Sequence, residues 1–324
     1  MLKTAEAVTP QHPDKLCDQI SDAILDACLE QDPDSRVAVE TMGGHNIITI
    51  TGEITTTAKV DIARTARKIV GDKYGIQINV VRQSREIAQG VDRGGAGDQG
   101  IMVGYACNEN NFFIPQELYL AKSLCRFIYK HHRQDGKTQI TIAENGLVET
   151  LVASFCRVGQ VELRGLVFSW MKSVGIKKIN NIYLNPAGDW TSGGFSADTG
   201  VSGRKLACDN YGPQIPIGGG SFSGKDATKV DRSGAYMARK IAVDLLKDYQ
   251  AKEVLVKLAY SIGLAEPVMA QAIITQNNNE IIDLKVIGYD LSPRGIINFL
   301  KLNEPQYLKV AQWGSFGNNF KWDK

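Results

Sequence analysis

The sequence predicts an α+β fold made of three similar subdomains, and three observations lead to this prediction. A chain of 324 residues is longer than one ordinary hydrophobic core requires, so two or three subdomains are expected. Three successive stretches each mix amphipathic helices with strands that can form hairpins, which indicates a weak threefold internal repeat. A glycine-rich segment at 83–100 interrupts the periodic pattern after the first stretch. We therefore predict approximate subdomains at 1–92, 93–190 and 191–324, and the chain can interleave between them.

The composition is typical of a globular protein in a reducing compartment. Hydrophobic residues make up 43% and charged residues 22% of the chain, and the formal net charge is +2, which disfavours a nucleic-acid or membrane surface. The six cysteines are scattered without a C-x-x-C pair, which favours reduced thiols over disulfides or a zinc site. No apolar run approaches the ~20 residues of a membrane span, and no signal-peptide core is present at the N-terminus. We expect a cytoplasmic protein with no nucleic-acid and no membrane partner.

The first stretch predicts a helix, two strands, a second helix and a third strand. The first helix opens at Gln11-His12-Pro13-Asp14-Lys15, because proline fits a first turn and an acidic residue there complements the helix dipole. Strands follow at 36–42 and 46–54 around a turn at Gly43-Gly44, then a helix at 60–70 and a strand at 76–82.

Two of the four notable polar residues of this stretch, His12 and Asp14, have two interpretations. Asp14 can simply cap the helix with His12 exposed, or the two can offer a carboxylate and an imidazole beside free backbone N–H groups; the sequence leaves both open. Glu40 and Glu53 lie within the predicted strands, where a solvated carboxylate is the default. The segment that follows, at 83–100, reads as a linker or as an active-site lid.

The second stretch repeats the mixture of helices and strands. Its predicted strands lie at 101–106, 137–143, 147–158 and 180–184, and its predicted helices at 115–132 and 160–173. Asp135 and Lys137 flank the start of a strand, where loop residues often face a site. Trp190 lies in a glycine-rich loop and can stack on a base or merely cover an apolar patch.

The third stretch contains two clusters of glycine and charge, at 198–205 and 218–233. In the second cluster a run of three glycines at 218–220 is followed by Lys225, Lys229, Asp231 and Arg232, and a helical pattern begins at Ser233. Backbone N–H groups at a helix N-terminus, fixed cations and a hard oxygen ligand together indicate a polyphosphate cradle with a magnesium ligand. Strands at 253–262 and 271–276 and a helix at 293–302 complete the stretch.

Two other interpretations of this cradle remain. Residues 219–225 fit G-x-x-x-x-G-K, but Asp226 stands where a P-loop needs a serine or threonine hydroxyl. Pro213 and Pro216 also make a poor buried strand before it. The second alternative is a mobile loop that precedes an ordinary helix.

Several motifs together resemble those of S-adenosylmethionine synthetases over nearly the whole chain. They are His-Pro-Asp-Lys at 12–15, Gly-Glu-Ile-Thr-Thr at 52–56, Gly-Ala-Gly-Asp-Gln-Gly at 95–100, Thr-Gly-Val-Ser-Gly-Arg-Lys at 199–205, Gly-Gly-Gly-Ser-Phe-Ser-Gly-Lys-Asp at 218–226 and Ile-Gly-Leu-Ala-Glu-Pro at 262–267. The resemblance implies three α+β subdomains in a pseudo-threefold arrangement. It also implies a methionine adenosyltransferase that joins ATP and L-methionine and then hydrolyses triphosphate to pyrophosphate and phosphate. It further implies a homodimer or homotetramer with sites between subunits, and a need for Mg²⁺ (two per site) and K⁺.

The resemblance also implies roles for individual residues. The expected catalytic contacts to triphosphate are His12, Arg204, Lys205, Lys225 and Lys229. Other ATP contacts are expected at Asp135, Lys137, Asp198, Ser221 and, stacked on adenine, Trp190. Methionine contacts are expected at Glu53, Gln83, Asp198 and Lys229, magnesium ligands at Asp14 and Asp231, and a potassium ligand at Glu40.

The chain departs from the family pattern at a few positions. Gln11, Asp189, Ile217 and Ser221 replace the usual residues, Trp190 replaces a phenylalanine, and the chain ends early. The expected gate over the site, at 84–97, is shorter than usual, from which we expect a more open methionine pocket. Two other functions remain as alternatives: a non-catalytic regulatory relative and, less favoured because of Asp226, a P-loop NTPase or kinase.

Overall fold

Residues 1–83 and 94–324, which the computed structural model describes, form three four-stranded sheets with helices packed against them. The central sheet has the order β1 (Lys3–Val8), β6 (Gly136–Ile142), β7 (Val148–Phe155), β8 (Asn181–Leu184). The C-terminal sheet has the order β12 (Ile281–Lys285), β11 (Met269–Thr275), β10 (Glu253–Tyr260), β5 (Gly100–Cys107). The N-terminal sheet has the order β4 (Gly75–Val81), β3 (Ile47–Thr55), β2 (Arg36–Gly44), β9 (Gly200–Val201). An α+β fold of three subdomains is thereby confirmed.

The three sheets exchange strands along the chain. Strand β1 pairs antiparallel with β6, so the N-terminal residues complete the central sheet. Strand β5 pairs antiparallel with β10 in the C-terminal sheet, and β9 pairs with β2 in the N-terminal sheet. The contiguous ranges 1–92, 93–190 and 191–324 stay a prediction, but the sheets themselves interleave.

Eight α-helices lie among the described residues. They are α1 (Pro13–Leu29), α2 (Ile62–Val70), α3 (Gln116–His131), α4 (Gln160–Ser173), α5 (Leu206–Asp209), α6 (Val230–Asp248), α7 (Pro293–Leu300) and α8 (Tyr307–Trp313), with short 3₁₀ turns at Gly194–Ser196 and Lys321–Asp323. Helix α6 begins three residues before the predicted Ser233, at the end of the second glycine cluster. No helix of the described chain is long and apolar enough to cross a membrane.

Two large hydrophobic cores hold these layers together. The larger core joins α1 and α6 to the inner faces of the N-terminal and C-terminal sheets, so these two parts share one interior. The second core lies between the central sheet and helices α3 and α4. Helix α6 lies directly on β5 at Gly104, where an added Cβ would stand 2.0 Å from the Ala238 carbonyl. Only glycine permits so close an approach.

The predicted turn at Gly43-Gly44 is wrong. Both glycines belong to β2, and the chain turns just after them at His45, whose φ is 52°. A Cβ on Gly43 would lie 2.6 Å from the ring of Phe195, so this glycine serves close packing rather than a turn. Strands β1, β9 and β12 and helices α5 and α8 are not predicted from the sequence pattern.

Candidate active site

His12 forms the N-cap of α1. Its Nδ1 accepts a hydrogen bond of 3.2 Å from the backbone N–H of Asp14, and Pro13 follows at the first helical position. Burial of the imidazole and then the nearby charge of Lys205 lower the pKa of His12 to about 4. His12 is therefore neutral near pH 7, and because Nδ1 accepts, its proton lies on Nε2. The imidazole is a donor for an anion, and its side chain is only 13% exposed, so His12 is not the exposed residue of the simpler interpretation.

Asp14 lies in the first turn of α1, and its carboxylate contacts three donors of the first glycine cluster. Its Oδ1 accepts a hydrogen bond of 2.9 Å from the Val201 N–H and lies 3.0 Å from Arg204 Nε. Its Oδ2 lies 2.6 Å from Lys205 Nζ. Burial alone would raise the pKa of Asp14, but the bonds from Lys205 and Val201 outweigh it and hold this pKa below its usual value. Asp14 is thus an ionised, buried carboxylate that binds cations rather than a helix cap.

The second glycine cluster contains a similar pair. Lys225 Nζ lies 2.6 Å from Asp231 Oδ2, and Asp231 stands in the first turn of α6. A Cβ on Gly220 would lie 2.2 Å from the Asp231 carboxyl carbon, so the glycine triplet folds directly over that carboxylate. The loop and the helix terminus form one polar surface, as a polyphosphate cradle requires.

Lys229 and Arg232 occupy different environments from each other. Lys229 forms an ion pair with Asp226, whose carboxylate also accepts 2.8 Å from the Val37 N–H. The prediction that Arg232 is one of the cations of the cradle is wrong: its guanidinium is buried and forms a bidentate ion pair with Asp22, at 2.7 and 2.8 Å. Asp226, the residue that departs from the P-loop motif, is the ion-pair partner of Lys229.

Ser221 joins the two clusters. A Cβ on Gly203 would lie 2.3 Å from Ser221 Oγ, so the loops at 199–205 and 218–226 touch at this point. Within the described chain, Ser221 Oγ is buried and makes no hydrogen bond. An unpartnered hydroxyl between two cationic loops is a free donor for a ligand oxygen.

The other residues expected to contact ATP lie beside the His12 end of α1. Asp135 accepts 2.8 Å from the Gly194 N–H, and burial raises its pKa. Lys137 is 44% exposed and lies 3.5 Å from Glu6, and Asp198 is exposed. The charges of Lys137 and Asp198 both reach His12.

Trp190 and Asp189 belong to the loop after β8. Trp190 is half-buried, and its carbonyl accepts 2.7 Å from the Arg157 N–H. Asp189 Oδ1 accepts 3.0 Å from the amide of Asn185. A cavity of about 220 Å³ next to this loop is lined by Gln11, Asp135 and Gly194 among others.

Two of the residues expected to bind K⁺ and methionine, Glu40 and Glu53, lie on one face of the N-terminal sheet, and Gln83 follows its strand β4. Glu40 is exposed and accepts 2.5 Å from Ser202 Oγ, which belongs to the first glycine cluster. Glu53 is paired with Ala38, and Ala38 also forms a β-bridge with Lys225, so one strand separates Glu53 from the cradle. The backbone N–H of Gln83 donates a hydrogen bond of 3.2 Å to Thr55 Oγ1. The side-chain oxygen of Gln83 is buried and has no hydrogen-bond partner among the described residues.

The donor set fits Mg²⁺ that arrives with a phosphate ligand. Within residues 1–83 and 94–324, no three His, Cys, Asp or Glu side chains cluster as a complete metal cage. Mg²⁺ usually takes one or two carboxylates and completes its shell with water and substrate phosphate. Asp14 and Asp231 supply single carboxylates of this kind, and Glu40 with the Ser202 hydroxyl supplies oxygen for a larger monovalent cation.

The expected gate falls mostly on residues 84–93, which lie outside the described residues. The chain after it is anchored, because Ala96 is buried and exchanges hydrogen bonds with the segment at 263–264: its N–H donates 2.8 Å to the Leu264 carbonyl, and its carbonyl accepts 2.9 Å from Gly263.

The comparisons with known proteins agree with these motifs. Three family models match, described as the S-adenosylmethionine synthetase N-terminal domain over residues 1–86, the central domain over 93–190 and the C-terminal domain over 192–324. The S-adenosylmethionine synthase of Mesoplasma florum is 40% identical over 365 aligned positions, which cover 100% of this chain and 97% of the relative. The S-adenosylmethionine synthase 1 of Rhodospirillum rubrum is 40% identical, over 99% of this chain and 95% of the relative. The chain therefore belongs to the S-adenosylmethionine synthetase family and is a transferase.

Proposed function

We propose that the chain transfers the adenosyl group of ATP to the sulfur of L-methionine and then hydrolyses the triphosphate to pyrophosphate and phosphate. The observation that carries this proposal is the convergence of cations on two touching loops beside the N-terminus of α1. Arg204 and Lys205 come from one loop and Lys225 from the other. Family membership supports the same substrates.

In the first step the thioether sulfur attacks C5′, and the bond between C5′ and oxygen breaks. The electron pair of that bond goes to the triphosphate, so negative charge grows on the leaving oxygen. Preorganised cations that meet developing charge are commonly the largest catalytic contribution. Arg204, Lys205 and Lys225 would supply this charge, and the neutral His12 would donate its Nε2 proton as a hydrogen bond without transferring it. The sulfur carries no proton, so this step needs no general base.

Two Mg²⁺ and one K⁺ belong to the proposal. Asp14 and Asp231 would each hold one Mg²⁺, and Glu40 would hold K⁺; Mg²⁺ bound there would neutralise charge on the triphosphate. Because each aspartate pairs with a lysine, binding would exchange partners: the carboxylates would hold the metal and the lysines would hold phosphate. The same cations would then hold the triphosphate for attack by water.

The remaining contacts follow the positions described above. Asp135, Lys137, Asp198, Ser221 and Trp190 would bind the nucleotide. Glu53, Gln83, Asp198 and Lys229 would bind methionine.

We also propose a homodimer or homotetramer with sites at the subunit interface. Glu40 and Glu53 share their face of the N-terminal sheet with exposed apolar side chains, of which Met42 is 53% and Ile47 is 47% exposed. On the C-terminal sheet Ile101 is 55% exposed. Apolar side chains on an uncovered sheet face are typical of an interaction surface. Light scattering after size exclusion should show an oligomer, and a monomer at micromolar concentration would contradict this part.

The activity itself is tested by incubation with ATP, L-methionine, Mg²⁺ and K⁺. We expect equal amounts of S-adenosylmethionine, pyrophosphate and phosphate, all dependent on methionine. ATP cleavage without methionine would favour an NTPase, and no turnover would favour a regulatory relative.

A further inference from the structure

Helix α1 carries four aspartates at a spacing of four residues, Asp14, Asp18, Asp22 and Asp26. This spacing keeps successive side chains on one side of a helix. Each of the four carboxylates accepts hydrogen bonds from backbone N–H groups of chain about 180 residues or more away. Asp14, Asp18 and Asp22 are fully buried.

Asp18 and Asp22 hold the two cationic loops in the same way. Asp18 Oδ1 accepts 2.8 Å from the Gly203 N–H, and Arg204 and Lys205 follow directly. Asp22 Oδ1 accepts 2.8 Å from the Gly224 N–H, and Lys225 follows directly. Gly203 and Gly224 have φ of 78° and 80°, a conformation that side chains rarely adopt. In both loops, a left-handed glycine bound to a buried aspartate therefore precedes the proposed catalytic cation.

Buried cations fix both aspartates in turn. Lys15 Nζ lies 3.1 Å from Asp18 and 2.7 Å from Asp209, so the ammonium is shared between two carboxylates. Arg232 binds the Asp22 carboxylate with its two terminal nitrogens, Nη1 and Nη2. Its Nη1 also donates a hydrogen bond of 3.1 Å to the carbonyl of Lys225. The backbone is thereby tied to the Asp22–Arg232 pair at the Gly224 N–H, just before Lys225, and at the Lys225 carbonyl itself.

We propose that Asp18 and Asp22 are positioning residues for the leaving triphosphate, acting through Arg204, Lys205 and Lys225. This inference rests on the proposed function. A charge-assisted hydrogen bond to the backbone N–H of the residue just before a cation limits where that cation can lie. A displacement of about 1 Å in a catalytic group can cost on the order of 10²-fold in rate. The two aspartates act on the turnover of bound substrate and not on methionine binding.

Asp26 provides a matched control on the same helix. Its carboxylate accepts hydrogen bonds from the N–H groups of Gln306, Tyr307 and Leu308, at 3.0, 3.0 and 2.8 Å. Those groups begin α8, which carries none of the proposed catalytic cations. Loss of Asp26 should therefore destabilise the fold without displacing Arg204, Lys205 or Lys225.

The test compares Asp18→Ala, Asp18→Asn and Asp26→Ala. Asp18→Ala removes the acceptor for Gly203, whereas Asp18→Asn keeps an oxygen there and leaves Lys15 paired with Asp209. For each variant we would measure Tm, kcat, KM for methionine, and calorimetric binding of inorganic tripolyphosphate with Mg²⁺. We expect Asp18→Ala to lower kcat by on the order of 10²-fold and to weaken tripolyphosphate binding at least tenfold, with little change in KM for methionine. Asp18→Asn should restore most of both, and Asp26→Ala should lower Tm alone.

The inference is overturned if Asp18→Ala lowers kcat and tripolyphosphate binding no more than Asp26→Ala does at a similar loss of Tm. If Asp18→Ala does not fold, Asp18→Glu replaces it, because a longer side chain keeps the charge but moves the oxygens. Unchanged kcat in Asp18→Glu would then overturn the inference. A wild-type protein that forms no S-adenosylmethionine would instead contradict the proposed function, which the tripolyphosphate measurement does not depend on.

Discussion

At the scale of single residues, each proposed magnesium ligand is already neutralised by a lysine. Asp14 pairs with Lys205 and Asp231 with Lys225, both at 2.6 Å. Free Mg²⁺ must displace a lysine that then has no partner, whereas Mg²⁺ with a polyphosphate gives both groups new partners. Metal and polyphosphate should therefore each raise the affinity of the site for the other by the same factor.

Substitution of the two aspartates tests this exchange. Asp14→Asn and Asp231→Asn should each raise the Mg²⁺ concentration needed for half-maximal activity, because a neutral amide is a poorer ligand for a hard cation. Glu40→Gln should weaken activation by K⁺ and leave the Mg²⁺ titration as it is. The measurement is the initial rate across separate Mg²⁺ and K⁺ titrations. An unchanged Mg²⁺ titration in both aspartate variants would contradict the assignment.

Lys225 should act mainly in the transition state. Its place in the glycine cradle should bring it to the oxygen on which charge grows, and loss of one such group typically costs on the order of 10²–10³ in rate. We expect Lys225→Ala to lower kcat by that factor with little change in KM for methionine. Lys240→Ala is the control, since Lys240 pairs with Asp244 one turn along α6. A rise in KM for methionine with normal kcat would show another role for Lys225.

At the scale of elements, the first turn of α1 depends on an imidazole that stays neutral. The pKa of His12 is about 4 in the folded protein against 6.5 for an unperturbed imidazole. Between these pH values the unfolded chain binds more protons, so the free energy of unfolding falls as the pH drops from about 6.5 to 4. His12→Asn keeps a good N-cap but does not titrate.

We therefore expect the free energy of unfolding of His12→Asn to depend less on pH than that of the wild type between pH 6.5 and 4. Urea unfolding at several pH values measures this. The buried carboxyls with raised pKa, such as Asp22, titrate in both proteins and cancel in the comparison. Parallel pH curves for the two proteins would contradict the pKa given for His12.

The local hydrophobic pattern of the sequence predicts most helices and strands, but it does not predict which residues the charged side chains contact. Apolar spacing predicted α1, α3 and α4, because each buries one face in a core made of its neighbours. Four of the six residues of strand β1 (KTAEAV) are lysine, alanine or glutamate, which are depleted in strands, and β1 pairs with β6, far along the chain. Asp18 and Asp22 look like a solvated helix face, and only the loops that fold over them bury them. The burial of Asp22 also explains why Arg232 is not part of the cradle, since its guanidinium pairs with that carboxylate.

At the scale of the whole molecule, the interleaved sheets make the subdomains depend on one another. A fragment of residues 94–190 would lack β1, the edge partner of β6, and would leave β5 without β10. We expect this fragment to show no cooperative thermal unfolding by circular dichroism. The full chain should unfold in a cooperative transition, because α1 and α6 share one core. A cooperative transition in the fragment would show that the central sheet is stable without β1.

The central claim, that sulfur attacks C5′ and the triphosphate leaves whole, is tested most directly with labelled ATP. The oxygen between C5′ and the α-phosphorus is replaced by ¹⁸O, and the products with L-methionine, Mg²⁺ and K⁺ are examined by mass spectrometry. The account predicts that all the label leaves with the phosphate products and that S-adenosylmethionine forms in equal amount. Label that remains on adenosine, or phosphate release without methionine, would contradict it.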